Sequence, residues 1–165
     1  MLGSLQFLTP LASQRALGVL RVMAGLLFLE HGSAKLFGFP HVTMYDHLEV
    51  VSFIGFGGLI ELIGGAMVAL GLYTRVAAFV VSGEMAVGYF LFHAPRNFYP
   101  AVNGGDAAIL YCFIFLFIAI AGPGGWSLDG LIARRRDLPG NASSGWTGAT
   151  SGISQAQQSG AGLGS

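Results

Sequence analysis

A single cysteine, Cys112, sits in an apolar run of this 165-residue chain. One cysteine excludes an intramolecular disulfide, a CxxC redox pair and a thiolate metal cage. Cys112 itself reads as a small buried hydrophobe. Charge is scarce too. Asp, Glu, Lys and Arg make up 10% of the residues, against about 25% in soluble domains. The formal net charge is zero, so neither a nucleic-acid partner nor long-range steering is expected. No HxxxH or HExxH spacing occurs, and His41 and His47 lie six apart in a loop, so no metal site is expected. A nucleotide fingerprint and a facing pair of membrane histidines are also missing, which leaves flavin and haem unexpected. The chain has no basic segment ahead of its first apolar run and no A-x-A-like site after it. That run is expected to stay as a helix rather than be cleaved.

What the chain has is apolar length. Hydrophobic residues make up 53% of it, and glycine contributes 26 residues. Four stretches approach the roughly 20 residues needed to cross a hydrocarbon core of about 30 Å. They run over about 16–37, 51–73, 74–93 and 106–121, and predict an all-α, antiparallel four-transmembrane-helix bundle over residues 1–132. The second and third are separated only by Tyr73-Thr74-Arg75 and must be antiparallel neighbours. The loop APRNFYPAVNGG carries two prolines and a Gly-Gly turn signal, and its Phe98 and Tyr99 suit a membrane interface. Arg15, Arg75 and Arg134-Arg135-Arg136 fall on one side, with Lys35 and Arg96 on the other. The excess of basic residues assigns both termini to the cytoplasm of a bacterial plasma membrane. Residues 133–165, rich in Gly, Ser and Gln, bury too little apolar surface to offset their ordering entropy and are expected to form a disordered cytoplasmic tail. Trp146 is its one bulky residue.

Ionisable groups inside a bilayer cost about 2.5–3.5 kcal/mol each on insertion scales, so each suggests a partner or a function. Arg21 and Glu30 lie in the first span, Glu61 in the second and Glu84 in the third. In the first span Gly18, Gly25 and Gly32 repeat every seven residues, and so do Arg21, Phe28 and Lys35, placing Arg21 on a small-residue packing face. Glu61 shares a face with Gly57, Val68 and Gly71, and Glu84 with Ala77 and Gly88. At about 1.5 Å per residue, Arg21 lies roughly 8–9 Å from the cytoplasmic end, Glu84 roughly 14–15 Å and Glu61 about 18 Å. Arg21, Glu61 and Glu84 are therefore the candidate intramembrane polar site, with an Arg21–Glu84 pair expected and one glutamate sharing a proton. Glu30, about 180° around the helix from Arg21, is expected to face another neighbour or to reach the outer surface. His31, Lys35, His93, Arg96 and Asp106 form a candidate outer-side polar group. Asp106, directly before AAIL, reads equally as a helix N-cap.

Three segments resemble the DoxX family of small bacterial membrane proteins. The first span ends in His31-Gly32 and Lys35-Leu36, similar to the family's "hG..Kl" pattern. The second, GLIELIGGAMVALGLYTRVAA, carries Glu-x-x-Gly-Gly and Gly-Leu-x-Thr-Arg. The fourth exits through GPGGWSLD, similar to the family's closing "GPG..SLD". The resemblance covers about Arg15 to Ile132 and implies a four-helix inner-membrane protein of oxidoreductase-like character, linked to oxidative-stress defence. Some relatives are tied to quinone-dependent sulfur oxidation, and a mycobacterial one to a superoxide dismutase and a sulfurtransferase.

No catalytic motif accompanies the resemblance, so electrons would come from a bound quinone or a partner redox enzyme. Two functions follow. One is a membrane subunit of a redox or oxidative-stress system that binds a quinone or similar hydrophobic molecule at Arg21, Glu61 and Glu84. The other is a non-enzymatic membrane scaffold or small-solute carrier. Four helices are few for a carrier, so that function calls for a homodimer.

Overall fold

The computed structural model describes residues 10–46, 48–49 and 51–137. Most of the expected tail, Trp146 included, lies outside the described residues, as does His47. Helix α1 spans Pro10–Phe37, α2 Phe53–Leu70, α3 Thr74–Gly88, α4 Pro100–Asn103, α5 Asp106–Ala121 and α6 Leu128–Arg136. Among the described residues there is no strand. Three helices have the length and composition to cross a membrane: α1, α2, and α3 with its extension to His93. The 16-residue α5 is a shorter apolar fourth.

Local chemistry sets most boundaries. Ser52 caps α2, its Oγ accepting the Gly55 N–H at 3.1 Å. Gly71 (φ 70°) closes α2 in the left-handed conformation, three residues before the expected end. The last turn of α3 widens to π winding over Tyr89–His93, with the Ala94 N–H donating to the Tyr89 carbonyl at 2.9 Å. Asp106 is the first residue of α5 rather than its cap, which is Gly105; its carboxylate still lies at the positive end of the helix dipole. Helix α6 was not anticipated, and it carries helical structure four residues into the segment assigned to the tail. Ser127 caps it at one end and three arginines occupy its last turn, both favourable placements.

The four long helices form an antiparallel ring. Helix α1 packs along α2, α2 beside α3, and α3 along α5, with a lighter α5–α1 contact. The α1–α2 approach uses the glycine seam. A Cβ on Gly25 would come 2.6 Å from the Ala69 nitrogen, and one on Gly65 2.6 Å from the Leu29 nitrogen. Backbones this close demand glycine, and they gain dispersion contacts where lipid supplies no hydrophobic drive. Phe28, Val68, Ala78, Val81, Phe115 and Ile118 fill the centre, and Phe28 meets Phe115 edge-on at 4.9 Å. The exterior is as apolar as the core. Met23, Phe56, Phe79, Phe113 and Ile120 all point outward, as expected where acyl chains are the solvent.

Candidate functional site

At the end formed by the start of α1, the α2–α3 turn and α6, Arg21, Arg75 and Asp129 are spent on helix termini. Arg21 is fully buried and donates to main-chain oxygens: Val68 (2.7 Å) and Ala69 (2.5 Å) at the close of α2, then Pro123 (2.8 Å), Gly125 (3.3 Å) and Trp126 (3.0 Å) in the α5–α6 connection. Gly71 makes room for it, because a Cβ there would fall 2.7 Å from an Arg21 nitrogen. Arg75 donates to the Ala119 and Ile120 carbonyls at 3.0 and 2.6 Å, closing α5. Both cations therefore sit at negative helix ends.

Asp129 does the converse. Its carboxylate accepts the Tyr73 and Thr74 N–H groups and the Thr74 hydroxyl at 2.9, 2.9 and 2.7 Å, capping α3. These bonds hold Tyr73 at φ 45°, a region costly for a residue with a Cβ. Partial burial pushes the Asp129 carboxyl up. The hydrogen bonds from Thr74 and Tyr73 and the nearby Arg21 charge outweigh it, so the group lies below the ordinary Asp value.

The expected Arg21–Glu84 pair is thus replaced by five bonds from Arg21 to backbone. The orphan carbonyls of α2 lie within reach of Arg21, whereas Glu84 lies against α2 nearer the opposite end. The structure brings Glu61 and Glu84 together without Arg21. Their cation is Lys35, whose Nζ lies 2.6 Å from Glu61 Oε1. The Lys35 side chain is 13% exposed and that of Glu61 2%. Glu84 projects from α3 against Gly57, one helical turn from Glu61; a Cβ on Gly57 would lie 3.2 Å from Glu84 Oε1. One carboxylate oxygen of each glutamate is buried with no hydrogen-bond partner among the described residues, an expensive state for a polar atom.

Glu84 and Lys35 line a cavity of about 520 Å³ between α2 and α3. Its walls are apolar, including Phe56, Ile60, Val80 and Phe92. Phe56 and Val80 are also exposed on the lipid-facing exterior, so the cavity opens sideways between the helices. Its polar edge is Tyr45, His93 and Arg96, at the end where α1 stops. His93 is steadied by a 3.1 Å contact from Nδ1 to the Asn103 carbonyl and by stacking on Tyr89. The π turn in α3 carries both Phe92 and His93 into this wall, a local rewinding frequent at functional sites. A second, smaller hollow of about 260 Å³, lined by His41 and Asp46 among others, meets the first at Lys35, Tyr45 and Leu48.

The outer-side group divides. Lys35, His93 and Arg96 line the cavity. Asp106 is exposed at the start of α5, and His31 faces outward from α1. Among the described residues no group of three or more His, Cys, Asp or Glu is arranged to hold a metal.

An apolar helical bundle with buried ion pairing and an apolar exterior defines this chain as a multi-pass membrane protein. The family model for DoxX matches residues 16–94, which is α1 through the end of α3. An uncharacterized protein of Haemophilus influenzae is 38% identical over 118 residues, covering 68% of this chain and 87% of its own length. Inner membrane protein YqjF of Escherichia coli is 31% identical over 123 residues, covering 71% and 92%. Uncharacterized membrane protein Rv3486 of Mycobacterium tuberculosis is 27% identical over 139 residues, covering 70% and 80%. This chain belongs to the DoxX family. No solved structure matches it.

Proposed function

We propose that the α2–α3 cavity holds a lipid-soluble redox molecule of the quinone class, and that the protein is the membrane subunit of a redox or oxidative-stress system. The observation that carries this reading is the place of Glu84, an acid with one buried carboxylate oxygen lacking a partner among the described residues, in the wall of an apolar cavity that opens toward lipid. A flat hydrophobic molecule with carbonyl or hydroxyl groups suits both features, because ligand sites are mostly apolar with a few convergent polar groups. A quinone would supply two-electron chemistry coupled to two protons, with the electrons exchanged with a partner redox protein.

The chain's own residues have distinct tasks. Phe56, Ile60 and Phe92 bind the apolar body. Glu84 holds or yields a proton at its carboxyl, a task for an acid in a water-poor site. Lys35 balances the paired glutamates and keeps Glu61 oriented through its 2.6 Å contact. The membrane would be the bacterial inner membrane, the location in the name of the YqjF relative. The end bearing Arg15, Arg75 and the α6 arginines would face the cytoplasm.

The experiment is purification from native membranes in mild detergent, followed by mass spectrometry of extracted quinones. The wild type should retain quinone at near one per chain. Gly88→Leu should lose it, since Gly88 lines the cavity and a Cβ there meets nothing within 4 Å. Equal retention by the variant, or none by the wild type, would contradict the proposal.

A further inference from the structure

The charged residue left unexplained by the site is Glu30. It faces outward from α1, and among the described residues its carboxylate makes neither an ion pair nor a hydrogen bond. Its depth can be read from the helix beside it. Leu29 lies against Gly65 of α2. Gly65 stands about 5 Å along the axis from the midpoint of the 18-residue α2. With a hydrocarbon half-thickness of about 15 Å, Glu30 is then some 10 Å from the nearer water. A glutamate arm does not span that distance, so the expected escape to the surface is closed, and a neighbour is required.

His31 stands next to it on the same outward face. Its Nδ1 lies 2.8 Å from the Leu27 carbonyl. A carbonyl only accepts, so Nδ1 carries the proton and Nε2 is left for an outside partner. Tyr111 of α5 meets the ring edge-on at 6.0 Å, bracing it from the side. Below this pair the face continues through Leu27, Met23 and Val19, all exposed. The glycine seam is not available to another chain, because Gly25 and Gly32 are spent against α2.

We infer that this face of α1 is an interface with a second copy of the same chain, with Glu30 of each copy opposite His31 of the other. The occupant follows from the arrangement of charge. Copies inserted in one orientation are related by a two-fold axis along the membrane normal, which preserves depth. An acid and an imidazole adjacent in sequence, at one depth and on one face, are complementary to themselves across such an axis. Two hydrogen-bonded pairs would then close in the membrane, each through one proton held between the Glu30 carboxyl and the free Nε2 of His31, flanked by the Val19–Met23–Leu27 strip.

The test is single-molecule photobleaching of labelled protein in phosphatidylcholine–phosphatidylglycerol vesicles over a range of dilutions. Wild type should give two-step traces that fall to one step on dilution. Glu30→His and His31→Glu should each weaken dimerisation at least tenfold, and the combined Glu30→His/His31→Glu exchange should restore it. A foreign partner carrying the complementary cation would not produce that recovery. In a Cys112→Ser background, Leu27→Cys should cross-link to twice the monomer mass, while Val80→Cys, on the exposed face of α3, should not. Single-step traces from wild type at every density, an exchange variant no better than the single ones, or equal cross-linking from both cysteines would overturn the inference.

Discussion

Lys35 Nζ, in the last turn of α1, lies 2.6 Å from Glu61 Oε1 in the middle of α2. This ion pair ties the first helix to the second beside the cavity, and it sets the first prediction. Removing one partner by Lys35→Met leaves a buried carboxylate unpaired and should destabilise the fold by about 3–5 kcal/mol. Replacing both, with Lys35→Met and Glu61→Leu, should recover most of that loss. Unfolding titrations in mixed micelles, read as a double-mutant cycle, measure the coupling; additive losses would show that the pair does not interact.

Arg21 should be harder to replace than any other charge. Its five bonds satisfy carbonyls on two segments at once, and a lysine ammonium cannot reproduce that fork. Both Arg21→Leu and Arg21→Lys should sharply reduce the monodisperse fraction on size-exclusion chromatography. Full recovery with lysine would show that only the charge is needed.

The glycines divide by what surrounds them. Gly65→Ala drives a Cβ into the α1 backbone, whereas Gly83 has nothing within 4 Å. Gly65→Ala should lower the thermal midpoint in detergent. Gly83→Ala should leave it unchanged or raise stability by about 0.5–1 kcal/mol through helix propensity. A reversed order would disprove the close α1–α2 approach.

How much of this was legible is best judged residue by residue. The helix spans were readable because apolar length and glycine punctuation leave few choices, and Glu61 stood on a glycine face as its periodicity indicated. Its partner was not readable. Lys35 stood at the outer end of the first span, apart from a Glu61 counted near the midplane, yet from the last turn of α1 its long arm reaches the middle of α2. The partners of Arg21 were hidden for a different reason. Pairing charges by sequence considers side chains, while Arg21 bonds to carbonyls, whose availability depends on where Gly71 stops α2. Helix α6 follows a Pro-Gly-Gly break and has little apolar pattern. Its signal was the capping serine ahead of Leu-Asp and the closing arginines.

Asp129 predicts a pH dependence. Its carboxyl is depressed in the folded protein, so its contribution is present above the unfolded value, about 3.9. That contribution fades as pH falls through the lower folded value. Asp129→Asn should therefore cost stability at pH 7 and narrow its gap from wild type as pH drops below about 4. Thermal midpoints from pH 7 to pH 3 measure this. A gap that stays constant or widens toward acid would rule out the cap as the source.

The central claim is that the α2–α3 cavity receives a quinone-class molecule from the bilayer. Photoaffinity labelling with an azidoquinone in lipid nanodiscs, mapped by peptide mass spectrometry, tests it most directly. Label should concentrate on the cavity-lining stretches of α2 and α3, be displaced by excess unlabelled quinone, and disappear in Gly88→Leu. Label spread evenly over the lipid-facing helices, indifferent to competitor and to the filled cavity, would contradict it.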